Sequence, residues 1–327
     1  MDIAVTVSRL PVPGATVLGG GAAYAPGGKG ANQAVAAARL GARVRMTGCV
    51  GDDDFGARLR AALTREGVGD EGVRTVPGAP TGLAMITVDE AGENMITVAP
   101  GANHEVGAAE IATVAATPSC DALVISAEIP VEAIKSALGI TGPALRILNL
   151  APALPSSAEL LATGVDWLVV NESEAAAILG TPVSGLDGAA AAAPQLAELG
   201  ARNVVVTAGA AGAAYCGRPD AAEIPNRALA SGDARIPDAA GVSDAAVAKG
   251  GGVVMVPGFR VHAVDSVGAG DTFVGALAVT LAAGVPAVTA VRAASAAGAA
   301  AATRPGTQSG MPSPADVLAA TGFSWPV

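Results

Sequence analysis

Ala122-Leu123-Val124-Ile125-Ser126, Leu145-Arg146-Ile147-Leu148-Asn149-Leu150, Trp167-Leu168-Val169-Val170 and Val204-Val205-Val206-Thr207 are short apolar runs in the middle of the chain, separated by stretches of helical composition. Short runs of this kind, bounded by turn residues, are how strands buried on both faces read. Their alternation with helices predicts an α/β fold: a doubly wound, mostly parallel sheet flanked by helices.

The same rhythm extends outward. Upstream, residues 31–40 form a strong helix pattern closed by Gly41, followed by a strand over 44–50 and a helix over 57–66. Downstream, strands are predicted over 213–216, 253–256 and 259–264, with a small-residue helix over 272–283. Two segments break the α/β order. Residues 3–7 and 16–24 read as strands around Pro11, Pro13 and Gly14, and residues 83–88 and 95–98 as a hairpin turning through Asp89-Glu90-Ala91-Gly92-Glu93-Asn94. Together they predict a small β-sheet lid, from about 2–26 and 81–99, on a single domain spanning 1–327. Residues 218–251, rich in Ala, Gly, Pro and Asp without a sustained period, read as a surface insertion.

Composition narrows the function. The chain has 327 residues, 51% hydrophobic but only 2% aromatic, with 43 glycines, so its core must be aliphatic and closely packed. A net charge of −10 with no Lys/Arg block argues against nucleic acid as a partner. No apolar run is long enough for a membrane span, and the first residues carry no basic-then-apolar leader pattern, so a soluble cytoplasmic protein is expected. Cys49, Cys120 and Cys216 are scattered and His104 and His262 lie far apart, which predicts buried free thiols and no zinc site.

Two motifs carry chemistry. In Asp265-Ser266-Val267-Gly268-Ala269-Gly270-Asp271-Thr272-Phe273 a glycine-rich turn runs into the helix predicted over 272–283. Small residues there let backbone amides converge at a helix N-terminus, which attracts an anion such as a transferring phosphoryl group. Asp271 stands at the same turn, placed to take a proton from a substrate hydroxyl. Taken alone, the Gly-Ala-Gly-Asp part reads better as a glycine turn with an Asp cap. In Gly27-Gly28-Lys29-Gly30-Ala31-Asn32-Gln33-Ala34, Lys29 precedes Gly30 rather than Ser or Thr, so this is no Walker A loop. Close backbone approach beside the donors of Lys29 and Asn32 suits a polyol; a glycine-rich loop with a solvated lysine is the alternative.

These two segments, in this order, resemble the two signatures of the PfkB/ribokinase family of carbohydrate kinases. The similarity runs from Asp2 to about Pro312 outside 218–251, and includes Asn149-Leu150-Ala151-Pro152-Ala153, Asn171-Glu172-Ser173-Glu174-Ala175 and Val256-Pro257-Gly258-Phe259-Arg260-Val261. It implies ATP-dependent phosphorylation of a small sugar, ribose first, with another sugar or nucleoside kinase or a non-catalytic sugar-binding relative as alternatives. It also implies that Asp2, Gly28, Lys29, Asn32 and Glu128 hold the sugar, that Asp271 activates its primary hydroxyl, and that the backbone of Gly268, Ala269 and Gly270 forms the anion hole. Asn171, Thr207, Gly209, Gly212, Gly270 and Ser295 would line ATP, and Glu174 would organise the waters of Mg²⁺. Asp265, with the carbonyls of Val267, Ala301, Arg304 and Gly306, would hold K⁺, and the lids would pair in a homodimer.

Some residues depart from the family pattern. Ala210 and Ala211 replace the polar side chains common in the nucleotide loop, and Gly310 stands where a Ser often completes the cation site. Family members also open with a hydrophobic strand ending Gly-Ser-x-Asn-x-Asp, and this chain begins at the last Asp. The expectation is that the first core strand lies upstream, or that the protein lacking it is destabilised.

Overall fold

The computed structural model describes residues 1–117, 120–143, 145–217 and 252–327; the insertion expected at 218–251 lies outside them. The body is built on a six-stranded sheet. Strands β7 (Ala122–Ser126), β8 (Leu145–Asn149), β9 (Trp167–Asn171) and β10 (Asn203–Thr207) run parallel, and β11 (Gly212–Gly217) and β12 (Val253–Pro257) continue the sheet antiparallel. A separate parallel pair, β3 (Arg45–Gly51) and β4 (Gly69–Val76), completes the body. Strand β4 was not anticipated: Gly69-Asp70-Glu71-Gly72 gives its first half no apolar run.

Burial on both faces follows from the period of two inside each apolar run. Ile147, Trp167, Val169 and Val205 face one helical layer, made by α1 (Lys29–Arg39), α8 (Ala269–Ala282), α9 (Ala287–Ala302) and α11 (Pro314–Thr321). Their neighbours Leu148, Leu168, Val170, Val204 and Val206 face the other, which includes α4 (Val131–Leu138), α5 (Ser157–Ala162), α6 (Glu172–Leu179) and α7 (Gly185–Glu198). The helices α2 (Asp54–Arg65) and α3 (Ala108–Ala115) border β3 and β4, and the short α10 (Thr307–Gly310) follows α9.

The lid is a four-stranded sheet ordered β2-β1-β5-β6, from β1 (Asp2–Thr6), β2 (Ala23–Ala25), β5 (Leu83–Val88) and β6 (Asn94–Ala99). Strand β1 pairs antiparallel with β2 and parallel with β5. Of the strand expected over 16–24, only its end is in the sheet, with Val7 and Gly19 forming one isolated bridge. Residues 259–264 were also expected as a strand, but form no ladder. Both segments follow a proline and a glycine, and their amides bond singly rather than in a ladder: Gly20 to the Thr6 carbonyl at 2.9 Å and Val264 to that of Ala302 at 2.7 Å.

Thr81 fastens the lid to the body. Its amide and hydroxyl donate to Asp53 at 2.8 and 2.5 Å, its hydroxyl accepts from the Gly51 amide at 3.0 Å, and Asp53 in turn caps α2 through the Gly56 amide at 2.8 Å. No helix among the described residues is long and apolar enough to cross a membrane. All three cysteines are free; Cys49 and Cys216 are buried, whereas Cys120 is only half-buried because it precedes β7 at the end of a loop.

Candidate active site

Ligand crevices in parallel sheets lie at the carboxyl ends of the strands. Here that edge carries a row of polar residues, Ser126, Asn149, Asn171 and Thr207, one at the last position of each of β7 to β10. Helix α8 points its N-terminus at the same edge. It begins at Ala269, three residues earlier than its composition predicts, so Asp271 sits inside the first turn rather than ahead of it. Gly268 caps the helix with φ 79°, a left-handed conformation that only glycine adopts at little cost. The Ala269 amide donates back to Ser266 at 3.2 Å, while the amides of Gly268 and Gly270 have no hydrogen-bond acceptor among the described residues. They remain open donors at a helix N-terminus.

Asp271 is brought against α1 by close helix packing. A Cβ on Gly275 would lie 2.7 Å from the Gln33 carbonyl and 2.9 Å from the Ala36 methyl, and one on Gly298 would lie 3.1 Å from the Ala269 carbonyl. Glycine at both positions therefore lets α8 sink between α1 and α9. Asp271 is then only 9% exposed, and accepts from Asn32 Nδ2 at 2.9 Å and Gln33 Nε2 at 3.1 Å. Burial raises its pKa; the Lys29 charge and these two amides pull the other way.

The glycine loop before α1 gathers the other charged groups. A Cβ on Gly27 would overlap the Asp2 carboxylate, so glycine is what allows that carboxylate to lie on the loop backbone. Gly28 caps α1 with φ 93°, and the Lys29 amide donates to Glu128 Oε2 at 2.9 Å. Burial raises the pKa of Asp2, Glu128 and Glu174 as it does for Asp271, and Lys29 counters it at every one of the four. Lys29 is thus the shared side-chain countercharge of a site rich in carboxylates.

Of the remaining expected residues, Asn171 and Thr207 end neighbouring strands at this edge. Asn171 and Glu174 form a reciprocal cap on α6: Asn171 Oδ1 accepts from the Glu174 amide at 2.9 Å, and Glu174 Oε2 from the Asn171 amide at 2.8 Å. Glu174 Oε1 keeps no protein hydrogen bond among the described residues, so it can accept from the waters of a hydrated metal ion. Thr207 ends β10, Gly209 opens the turn Gly209–Ala211, and Gly212 starts β11 with φ 118°, at the strand ends beside Asn171. Ser295 on α9 donates to its own helix, to the Val291 carbonyl at 3.0 Å. No three His, Cys, Asp or Glu side chains gather as metal ligands among the described residues.

The residues expected to hold a cation are tied together through backbone amides. Asp265 accepts from the Val267 amide at 2.9 Å and from the Gly306 amide at 2.8 Å, tying the loop before α8 to the end of α9. A Cβ on Gly310 would lie 3.2 Å from the Arg304 carbonyl and 3.5 Å from that of Ala301, so these two oxygens converge. Converging carbonyls beside a carboxylate are the donor kind a hard cation takes; the Val267 and Gly306 carbonyls border the same loops. Arg304 is further tied to Asp316 of α11 by an ion pair.

Sequence reasoning did not assign Gln33, Asn149 or Gln308, which join the network around Asp271. Their partners lie 116 to 276 residues away in the chain, and no local spacing signals such pairs.

A buried carboxylate beside open helix-terminal amides, in the crevice at the carboxyl edge of a parallel sheet, defines an α/β phosphotransferase. The chain matches the model of the pfkB family carbohydrate kinases over residues 1–234 and 239–314, and belongs to that family; it is a sugar kinase. It is 34% identical to a ribokinase of Schizosaccharomyces pombe, over 97% of this chain and 93% of the relative, and 33% identical to one of Bacillus subtilis, over 97% and 94%. A deoxyribokinase of Salmonella typhi is 32% identical over 96% and 93%. Among solved structures, the ribokinase of Thermotoga maritima superposes with a TM-score of 0.77 at 30% identity, covering 97% of this chain and 95% of that one. Arabidopsis thaliana ribokinase complexed with ribose and ATP gives a TM-score of 0.78 at 26% identity, covering 99% and 96%.

Proposed function

We propose that this kinase transfers the γ-phosphoryl group of ATP to the primary hydroxyl of ribose, giving ribose 5-phosphate, with Asp271 as the general base. The observation that carries the reading is the placement of Asp271: buried, gripped by two amides, and one residue from the open amide of Gly270. Its chemistry balances. The sugar oxygen bonds to phosphorus as the bond to ADP breaks, and the hydroxyl proton passes to the Asp271 carboxylate. The open amides of Gly268 and Gly270 face the developing negative charge, whereas the Ala269 amide, expected beside them, is already given to the Ser266 carbonyl.

Asp2, Gly28, Lys29, Asn32 and Glu128 are the sugar-holding set. Asp2 comes from the lid and the others from the body, so closing the lid completes the site. Asn171, Thr207, Gly209, Gly212 and Ser295 border the nucleotide, with Glu174 Oε1 turned to the waters of Mg²⁺, whose charge would neutralise the phosphates. Asp265 with the carbonyls of Val267, Ala301, Arg304 and Gly306 would hold K⁺; Gly310 offers it no side-chain ligand. The enzyme works as a single domain in the cytoplasm, and two copies pair through their lids.

A coupled assay of ADP release over ribose, deoxyribose, fructose and nucleosides tests the assignment. Ribose is expected to give the highest kcat/KM, and a nucleoside or fructose ranking above it overturns the substrate. Deoxyribose is the competitor that the deoxyribokinase relative brings in. Asp271→Asn should lower kcat by about 10² to 10⁴ with the fold retained; turnover within a factor of ~3 of the parent would remove Asp271 as the base.

A further inference from the structure

Asp271 must be a carboxylate to take a proton, yet its burial works against that charge. Asp2 from the lid, Glu128 after β7 and Glu174 from α6 lie close enough that the Asp271 charge raises the pKa of each, and among the described charged groups Lys29 from α1 is the one that favours ionisation of Asp271. The remaining support comes from side-chain amides whose directions are fixed from outside. Asn149 Nδ2 donates to the Val169 carbonyl at 3.1 Å, so its Oδ1 faces Gln33, from which it accepts at 2.8 Å. Gln33 Nε2 gives its other hydrogen to Asp271 Oδ1 at 3.1 Å. On the second branch, Gln308 Nε2 donates to Asn32 Oδ1 at 3.1 Å, which turns Asn32 Nδ2 toward Asp271 Oδ2 at 2.9 Å.

Gln33 keeps this arrangement at a cost. It is 3% exposed, and its Oε1 is buried without a partner among the described residues. Flipping the amide would set Oε1 against two acceptor oxygens, those of Asn149 and Asp271, so rotation cannot relieve the orphan. A buried polar atom left unsatisfied calls for a reason, and here the same amide holds the base.

We propose that Gln33, locked in direction by Asn149, is a positioning residue for the catalytic carboxylate: it grips Asp271 Oδ1 and sets the carboxylate plane that meets the sugar hydroxyl. This rests on Asp271 being the base.

Gln33→Met keeps the side-chain length and removes the donor. The acid limb of the kcat–pH profile should move up by roughly one pH unit, the loss of one hydrogen bond to a charged group. Below that limb kcat should then fall about tenfold, recover at high pH, and leave KM for ribose within a factor of ~3. Asn149→Leu, which frees the Gln33 amide to turn, should move the limb the same way by less. A folded Gln33→Met enzyme whose kcat drops equally at every pH, or whose loss lies in KM alone, overturns the proposal. Should Gln33→Met fail to fold, an unmoved acid limb in folded Asn149→Leu overturns it instead. Asp271→Asn separates the two ideas: if that variant still turns over, the base assignment has failed, whereas an inactive Asp271→Asn with an unmoved limb in Gln33→Met defeats only the positioning role.

Discussion

The body sheet and the lid sheet are made of much the same aliphatic residues, yet water treats them in opposite ways. In β8 to β10 the side chains of Ile147, Leu148, Leu168 and Val205 are wholly buried, because helices cover both faces. In the lid every residue of β6 is exposed, Ile96 and Val98 at 56% each. The register sharpens the contrast. Ile86 stands opposite Ile96, and Ala84 opposite both Val98 and Asp2, so these apolar residues share the lid face that carries Asp2. Met85, which pairs with Ile3 and Thr97, lies on the other face and is 48% exposed. A sheet with apolar groups uncovered on both faces offers the surface that the proposed pairing of two lids would cover.

That contrast predicts unequal consequences for equal chemistry. Ile147→Ala should cost about 2 to 5 kcal/mol of stability, as for a large-to-small change in a packed core, read from urea unfolding; a cost like that of a surface site would mean the body sheet is less enclosed than described. Thr81→Val, at the junction of the two sheets, should cost about 1 to 3 kcal/mol because it orphans the buried Gly51 amide. In Asp53 burial works to raise the pKa but is outweighed by the Thr81 hydroxyl and amide, so losing the hydroxyl also weakens what holds that carboxyl low. An unshifted unfolding midpoint would show that Thr81 does not fasten the lid. Ile96→Ala should change stability of the single chain by no more than about 0.5 kcal/mol. Its effect belongs to assembly: light scattering of the parent should give twice the chain mass, and Ile96→Asp should halve it. A parent that is monomeric at micromolar concentration would break the idea that the lid completes itself against a copy.

The sequence carried the body well for a physical reason. Strands such as Val204-Val205-Val206-Thr207 are continuous apolar runs because both faces are covered, and such runs stand out from their surroundings. The hairpin of β5 and β6 was equally legible from its alternation and its turn. Where covering is partial the signal fades: β4 begins with two glycines and two acids, and is a strand because β3 pairs with it. Helix starts were read late at both α2 and α8, since Asp53 and Gly268 act as caps, outside the apolar periodicity that marks the helix interior. At the site, the glycine loop and the Asp271 motif stood out through their joint resemblance to the family's two signatures, each having an ordinary reading when taken alone. Gln33, Asn149 and Gln308 did not, because a buried amide is defined by what it meets in three dimensions.

Gly275 and Gly298 leave a last consequence. They act as the gauge that sets how deep one helix seats between its neighbours, and a single added methyl would jack that helix outward while every polar group of the crevice kept its chemical identity. Variants inert as catalysts can therefore arise from a lining no ligand ever touches, and an inventory of motif residues would pass them as sound.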